Sequence, residues 1–553
     1  LRLTLLFIIL LLAVSCDRSV NRKREKLVGH IPDLAKLADS LNAKGAIAVK
    51  WAVNGSQVVY AKPIEVDWRK EFEAVLKDSV NDVRYKESYD ISDSKSGQVR
   101  TVIFSAKSDA QEIQSTRVVL DNGVIIEYEV QKSRSTFFSS SSTIFRFRNG
   151  SYELETDQKI TGVFNQRQFI AGRAVSNGSL WRGVLDLGGA VLPFQFILAD
   201  DNSGLSVING TEFIGFNDLQ SSGDSVFLAS DYFNTRFEFV FQSDSALTGR
   251  WVNNHYDDPR VLSFTAARSI PYRFAANSVP SKNLSGSHKA VFYTSDGVVG
   301  DSTVLMLNQR GHIVEGSFLT ETGDYRFLEG VIRNDSLYLS TMDGSHAFLF
   351  TAKITSDSLV GEFRSGSHWR QGWSAELFKE YKLTDPATLT TNTTDQVDFA
   401  FPDENGQVIS LSDSAYHNMP VIISVMGTWC PNCLDEAVFL KEKQDEFSQT
   451  DLKIIALDFE LISDSTQARM NIRKFKTSIG ADFPVLLASL KSTKTKAGQT
   501  LPFLSGITSY PTMIVLDHKH EIVKIHTGFT GPATGAVYDE FYKEYSALFN
   551  SLL

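Results

Sequence analysis

The sequence predicts a multi-domain protein: a C-terminal α/β domain, preceded by an all-β, barrel-like (calycin-like) region and an N-terminal α+β module. Three observations lead there. The chain has 553 residues, too many for one ordinary core. Between about 176 and 383, short alternating strands are separated by Gly, Asn and Asp turns, and two stretches repeat each other. From 397 onward, apolar runs of buried-strand character alternate with helical stripes, and a strand–helix–strand order of this kind makes parallel pairs. Hydrophobic content of 42% and charged content of 22% are ordinary for a globular protein, and a net charge of -10 argues against non-specific nucleic-acid binding.

In chain order, residues 3–14 are almost entirely apolar and follow Arg2, a run that suits the apolar core of an export signal better than a bilayer span. It ends Leu12-Ala13-Val14-Ser15-Cys16, small residues directly before a cysteine. This resembles the bacterial lipobox, with Ala13 where that family more often has Leu. The resemblance implies a signal peptide over 1–16, lipidation of Cys16, and a lipoprotein held on a membrane of the cell envelope, facing the periplasm or the cell surface. The alternative is an uncleaved anchor with an incidental Cys16; it places the rest of the chain on the same side. Residues 17–27 are polar and charged and read as a tether.

The α+β module is expected over 28–175. Leu34, Leu37, Ala38 and Leu41 form one helical stripe, and Trp68, Phe72, Val75 and Leu76 another within 67–80. Strands follow at 102–104, 116–120 and 124–128, the last two joined through Asp121-Asn122-Gly123, a strong hairpin signal. A second turn is expected at Asn149-Gly150, and the cluster 139–142 of serines reads as a solvated loop.

The β-rich region is expected over 176–383. Gly223-Asp224-Ser225-Val226-Phe227-Leu228, then Phe237-Glu238-Phe239, then Asp244, Leu247, Gly249 and Trp251 is matched by Asn334-Asp335-Ser336-Leu337-Tyr338-Leu339, then Phe348-Leu349-Phe350, then Asp357, Leu359, Gly361 and Phe363. The expectation is one barrel assembled from two similar halves, with Phe237, Phe239 and Phe241 on one face and the aromatic residues serving as core. Residues 384–396 have linker composition.

The C-terminal domain, 397–553, begins with a hairpin and reaches its central strand at 420–425, which leads through Gly427-Thr428-Trp429 into Cys430-Pro431-Asn432-Cys433. A helix is expected from Leu434 to Phe447: Leu434, Val438 and Lys441 share one side, and Ala437, Leu440 and Phe447 extend the apolar face. Cys430 therefore sits at a strand-to-helix junction, where unpaired N–H groups and the positive dipole end stabilise a thiolate. Two intervening residues let one turn bring the sulfurs within bonding distance. The chain has only 3 cysteines, so none remains for a structural framework. Strands at 452–459, 513–516 and 522–526, a short extended piece at 483–487, and helices at 465–479 and 537–553 complete the order of a thioredoxin fold.

Trp429-Cys430-Pro431-Asn432-Cys433, Glu436, and Tyr510-Pro511-Thr512 before a strand ending in Asp517 resemble the TlpA/ResA-type thioredoxin-like thiol–disulfide oxidoreductases. Residues 525–535 are similar to a segment of Bacteroidetes lipoproteins of that type. The resemblance implies a redox-active Cys430/Cys433 pair, with Cys430 attacking and Cys433 resolving. It implies a cis Pro511 beside Cys430, an acid, Glu436, assisting proton transfer, and Trp429, Pro431, Asn432, Tyr510 and Thr512 as surroundings. It further implies protein thiol/disulfide substrates, apo-cytochromes c among the candidates, and a membrane dithiol as electron donor. No cofactor, metal or nucleic acid is expected. Ser424 stands where thioredoxin has a buried Asp, which makes Glu436 more necessary, and Val438 stands near the family's helix proline. Two other readings stay open: a peroxiredoxin-like peroxidase, for which Gly427 occupies the place of a required hydroxyl residue, and a ligand-binding surface lipoprotein using the β region.

Overall fold

The computed structural model describes residues 34–553 apart from 55–56, 62, 77–87, 97, 149, 176–177, 295–296 and 395. Cys16, the export segment 1–16 and the tether 17–27 lie outside the described residues, as do Asn149 and the last part, 77–80, of the second expected helix.

The N-terminal module is a ten-stranded sheet with Gln57–Tyr60 and Tyr89–Ser96 at its ends and Ile47–Asn54 paired with Phe164–Val175, with a helical layer on one face. Leu34, Ala38 and Leu41 of the helix Leu34–Ala43 pack with Trp68, Phe72 and Val75 against Phe104, Val118, Phe145 and Tyr152 of the sheet. The Trp68 indole is fixed by donating to the Ala46 carbonyl at 2.8 Å. Asn122 (φ 48°) and Gly123 (φ 79°) are both left-handed, as a two-residue hairpin between Ile113–Asp121 and Val124–Ser135 requires. The serine cluster is not a loop: it opens the strand Ser139–Arg148, paired on both sides. Small hydroxyl side chains at a solvated strand end carry no apolar alternation, so nothing in the pattern marks them.

The β-rich region forms a near-barrel and a closed barrel, not one barrel from two halves. The first repeat copy lies in Ser225–Ala229, Thr235–Ser243 and Ala246–Asn253, within a nine-stranded sheet that stays open between Glu212–Phe216 and Asp218–Ser222. The second lies in Ser336–Met342, Ala347–Ile354 and Ser358–Ser365, within another nine-stranded sheet that closes where Val299–Arg310 pairs with Ile313–Thr320. Each copy has enough flanking strands to wrap around its own core. Phe194, Phe216, Phe237 and Phe264 fill the near-barrel; Phe292, Phe318, Phe350 and Trp373 fill the closed one. Phe237 and Phe239 are buried, whereas Phe241, at the end of the regular ladder, is 38% exposed.

The barrels lie side by side. Val331, Met342, Ala347 and Leu349 on the outside of the second belong to the core cluster of the first. Polar residues seal the seam: Asn253 donates to the Ser345 carbonyl at 2.9 Å, and buried Arg273 donates to that of Ser340 at 2.7 Å.

The C-terminal sheet has five strands in the order Val485–Ser489, Lys453–Phe459, Val421–Met426, Thr512–Leu516, Ile522–Thr527. The central strand is parallel to Lys453–Phe459 and antiparallel to Thr512–Leu516, as expected of a thioredoxin fold. All of its residues are buried, which explains a run that is apolar except for Ser424. The helices Pro431–Glu446, Ser465–Ile479 and Ala536–Ser551 share one core; the hairpin Ala400–Pro402/Val408–Ser410 and the helix Lys494–Thr500 lie on the other. Two helical details differ from expectation. Val438 is 42% exposed, while Lys443 is buried, its ammonium 4.0 Å from the Tyr542 ring centroid and 2.7 Å from Glu446. Lys494–Thr500 has only Ala497 buried, so it shows no amphipathic stripe. Segment 384–396 is tied to this domain: Thr393 donates to Phe503 and Ser505 to Thr391.

Candidate active site

The central strand ends at Met426, and the chain turns through Gly427-Thr428-Trp429 before the helix begins. Gly427 is required by a close approach, since a Cβ there would lie 2.3 Å from the Trp429 indole nitrogen. That nitrogen donates to the Phe459 carbonyl at 3.0 Å, and the indole meets Tyr510 edge-on at 5.7 Å.

Cys430 is the N-cap of Pro431–Glu446. Its backbone is extended (φ -99°, ψ 115°), and its sulfur accepts the Cys433 N–H at 3.2 Å. One otherwise unpaired donor of the helix start is thus spent on sulfur. Cys430 and Cys433 form a disulfide with Cα atoms 5.2 Å apart; Cys430 is 6% exposed and Cys433 1%. The Tyr510–Pro511 peptide is cis, and the Tyr510 carbonyl lies 3.8 Å from the Cys430 sulfur. Thr512 is buried and donates to the Ser509 carbonyl at 2.9 Å, holding this turn.

Glu436 lies one helical turn beyond Cys433 and is fully buried. The Ser424 hydroxyl donates to its Oε2, and Oε1 has no partner. Burial, offset only by that hydrogen bond, pushes its carboxyl up to about 8. Sequence reasoning treated Ser424 as a missing acid; the structure makes it the partner of the acid one layer over.

Two more buried acids flank the redox pair, and sequence reasoning missed both. Asp458, next to last in the neighbouring strand Lys453–Phe459, accepts the Thr428 N–H at 3.0 Å. Glu460 accepts from the Thr428 hydroxyl and from Asn471. Burial first, then the charge of Glu460, raises Asp458 well above the carboxylate range; burial likewise raises Glu460, against the hydrogen bonds from Thr428 and Asn471. The signal was present in the sequence, as an acid inside the apolar run Ala456-Leu457-Asp458-Phe459.

The second barrel supplies a further shell that no local pattern could reveal. Arg326, 4% exposed, donates to the Pro431 carbonyl at 2.5 Å and pairs with Asp435 at 2.9 Å and with Glu212 of the first barrel. Burial opposes its charge, but Asp435 and Glu212 more than compensate and raise its pKa. Asp435 nonetheless stands at about 7, because burial and repulsion from Glu212 and Asp324 outweigh Arg326. Asn432 donates to the Asp324 carbonyl at 3.1 Å, Gly531 to the Asp324 carboxylate at 2.5 Å, Ser509 to the Thr322 carbonyl at 3.1 Å, and Ser345 to the Trp429 carbonyl at 2.7 Å. Gly323 (φ 131°) lets the barrel approach, since a Cβ would meet the Asn432 amide at 2.4 Å. Beside Ser345, His346 Nδ1 lies 3.1 Å from Asp343 and its ring stacks on Phe348. Among the described residues, no helix is long and apolar enough to cross a membrane.

Residues 390–539 match the Redoxin family model. The chain is 26% identical over 132 residues to the thiol-disulfide oxidoreductase ResA of Halalkalibacterium halodurans, covering 24% of this chain and 66% of that relative. It is 27% identical over 131 residues to the thioredoxin-like protein YneN of Bacillus subtilis, covering 24% of this chain and 68% of that relative. A solved thiol-disulfide oxidoreductase from Bacteroides fragilis NCTC 9343 aligns at 16% identity with 27% of this chain and 99% of its own, with a TM-score of 0.21. The chain thus spans about two thirds of the length of the curated relatives it matches. Its C-terminal part is a ResA-like redoxin domain of the thiol-disulfide oxidoreductase type, with Cys430 and Cys433 as its Cys-X-X-Cys pair.

Proposed function

We propose that the whole chain is a membrane-anchored, extracytoplasmic oxidoreductase that reduces protein disulfides. The observation that carries this reading is the Cys430–Cys433 disulfide at a helix N-terminus, with the Cys433 N–H directed at the Cys430 sulfur. In the dithiol form that N–H and the helix dipole stabilise a Cys430 thiolate. The thiolate attacks one sulfur of a substrate disulfide, forming a mixed disulfide and expelling the other sulfur as thiolate. Cys433 then attacks Cys430, releasing the second substrate thiolate and restoring the Cys430–Cys433 bond. Two electrons pass to the substrate, and a membrane dithiol donor returns them.

Cys433 must lose its proton to attack. Glu436, one turn away with its carboxyl pushed by burial up to about 8, would take it, with Ser424 orienting the carboxyl. Pro511 and Tyr510 shape the wall beside Cys430, Pro431 and Asn432 set which N–H groups face the sulfur, and Trp429 and Thr512 hold the two turns. Lipidation of Cys16, with the chain organised as module 28–175, barrels within 176–383, segment 384–396 and domain 397–553, would hold this site at the cell envelope. Apo-cytochromes c, whose cysteines must be reduced before use, fit as substrates.

Insulin reduction by the full chain tests the reading. Wild type should precipitate the freed B chain in the presence of dithiothreitol, and Cys430→Ser should do no better than dithiothreitol alone. Equal rates would remove Cys430 as nucleophile.

A further inference from the structure

The face of the redoxin domain that carries Cys430 is not open. Residues 322–326 of the second barrel lie across Pro431, Asn432, Ser509 and Gly531 through the hydrogen bonds given above. What remains is a cavity of about 790 Å³ between Cys430 and the mouth of that barrel. Phe292, Thr303, Phe348 and Gln371 form its barrel wall, opposite Trp429 and Tyr510. The barrel beneath is filled: Phe318 packs on Phe350 at 4.6 Å and on Trp373 at 5.1 Å between ring centroids.

We propose that this chamber is the substrate site of the redox pair and that it takes an extended, cysteine-bearing polypeptide segment with apolar or aromatic residues beside the cysteine. The proposal rests on Cys430 being the redox nucleophile. Size is the first argument. The volume lies within the roughly 300–1,000 Å³ of sites that hold a small ligand or a few residues, whereas a folded partner needs a face of about 800 Å². Charge is the second. Arg326 is committed to Pro431, Glu212 and Asp435, Asp324 to Gly531 and Arg326, and Asp343 to His346 and the Ser345 N–H. These buried charges are thereby taken up within the protein, and the other two charged residues of the lining, half-buried Glu321 and exposed Lys494, are of opposite sign, so the lining presents no net positive charge to a small thiol bearing its own carboxylates. Phe292, Tyr325, Phe348, Trp429 and Tyr510 give the walls aromatic faces, between the uncharged polar groups of Ser302, Gln371 and Asn432. A peptide backbone can hydrogen-bond to such polar groups while its side chains meet the rings.

The test uses the reduced full chain and two short peptides, each carrying one cysteine as a mixed disulfide with cysteamine. One has Phe and Leu beside the cysteine, the other Asp. The apolar peptide should show a kcat/KM higher by about tenfold or more. Gln371→Trp, which fills the barrel mouth, should raise KM for the apolar peptide by about tenfold, with the reduction potential of the cysteine pair against glutathione unchanged. Equal kcat/KM for the two peptides in wild type would overturn the proposal, and that comparison needs no variant. An unchanged KM in folded Gln371→Trp would overturn it as well. Wild type that reduces insulin but neither peptide would overturn the chamber and leave the dithiol reading intact; wild type that reduces nothing would overturn both.

Discussion

The two barrels carry the same strand repeat, yet they face different things. The near-barrel of residues 179–268 is walled in. Its core merges with the outer side of the second barrel, and its buried Phe233 belongs to the same apolar cluster as Cys430 and Cys433. It also braces the redoxin domain from the side, where Ser463 donates to Asp257 at 2.7 Å. The closed barrel of residues 286–376 is equally well filled at its centre but keeps an empty mouth, and that mouth meets Cys430. Duplication of one pattern therefore yields a brace and a chamber wall. What decides between them is which surface of each copy is left to meet the third domain.

The largest effect expected on this comparison comes from Arg326, which joins both barrels to the active-site helix. Arg326→Ala leaves Glu212 and Asp435 buried against each other and should cost about 3–5 kcal/mol, read by urea denaturation. The deficit should shrink as pH falls through about 7, where Asp435 takes up a proton and one of the two charges disappears. A deficit independent of pH would break the description of the node.

Core truncation separates the barrels next. Phe194→Ala and Phe318→Ala should each cost about 3–5 kcal/mol in stability. Only Phe318→Ala, beneath the open mouth, should also change KM for the apolar peptide. Equal changes in KM would mean that the two barrels act alike.

Glu436→Gln probes the redox pair without touching either barrel. Exchange should slow by about tenfold, and the inflection of the rate near pH 8 should vanish. The folded carboxyl holds its proton to about 8, whereas its ordinary value is 4.5, so the native state binds an extra proton between the two. Wild-type stability must fall as pH rises through that window, and it should fall less in Glu436→Gln. Unchanged rates across the same range would reject the proton-transfer role.

The smallest effect is expected at the seam. Ser345→Ala removes the hydrogen bonds to the Trp429 carbonyl and to buried His255 Nδ1 and should cost about 2 kcal/mol by thermal or urea unfolding. A cost several times larger would show that the barrel, not the helix start, sets the position of Cys430.

The redox centre was legible in the sequence because its parts are local. An apolar strand, Cys430 and Cys433 one turn apart, and Glu436 one turn further announce themselves within a single strand–helix unit. The fold class of the C-terminal domain followed from the same alternation. Elements without an apolar stripe escaped: the polar helix Lys494–Thr500, and the serine strand opening at Ser139. Val438 lies on the outer side although periodicity puts it inward, whereas the charged Lys443 is buried, its ammonium held by the Tyr542 ring and Glu446. The pairing of the repeats into two barrels, not one, depends on which distant strands close a ring. The Arg326–Pro431 contact likewise joins residues that share no local pattern. Contacts of that kind are set by tertiary packing, and neither propensity nor periodicity carries them.

The proposed reaction makes Cys430 the attacking sulfur and Cys433 the resolving one. The most direct measurement mixes Cys433→Ser with a disulfide substrate and maps any adduct by mass spectrometry after non-reducing electrophoresis. A stable mixed disulfide through Cys430, absent from Cys430→Ser, is the predicted result. An adduct forming on Cys433 of Cys430→Ser at the same rate, or none on either protein, would contradict it.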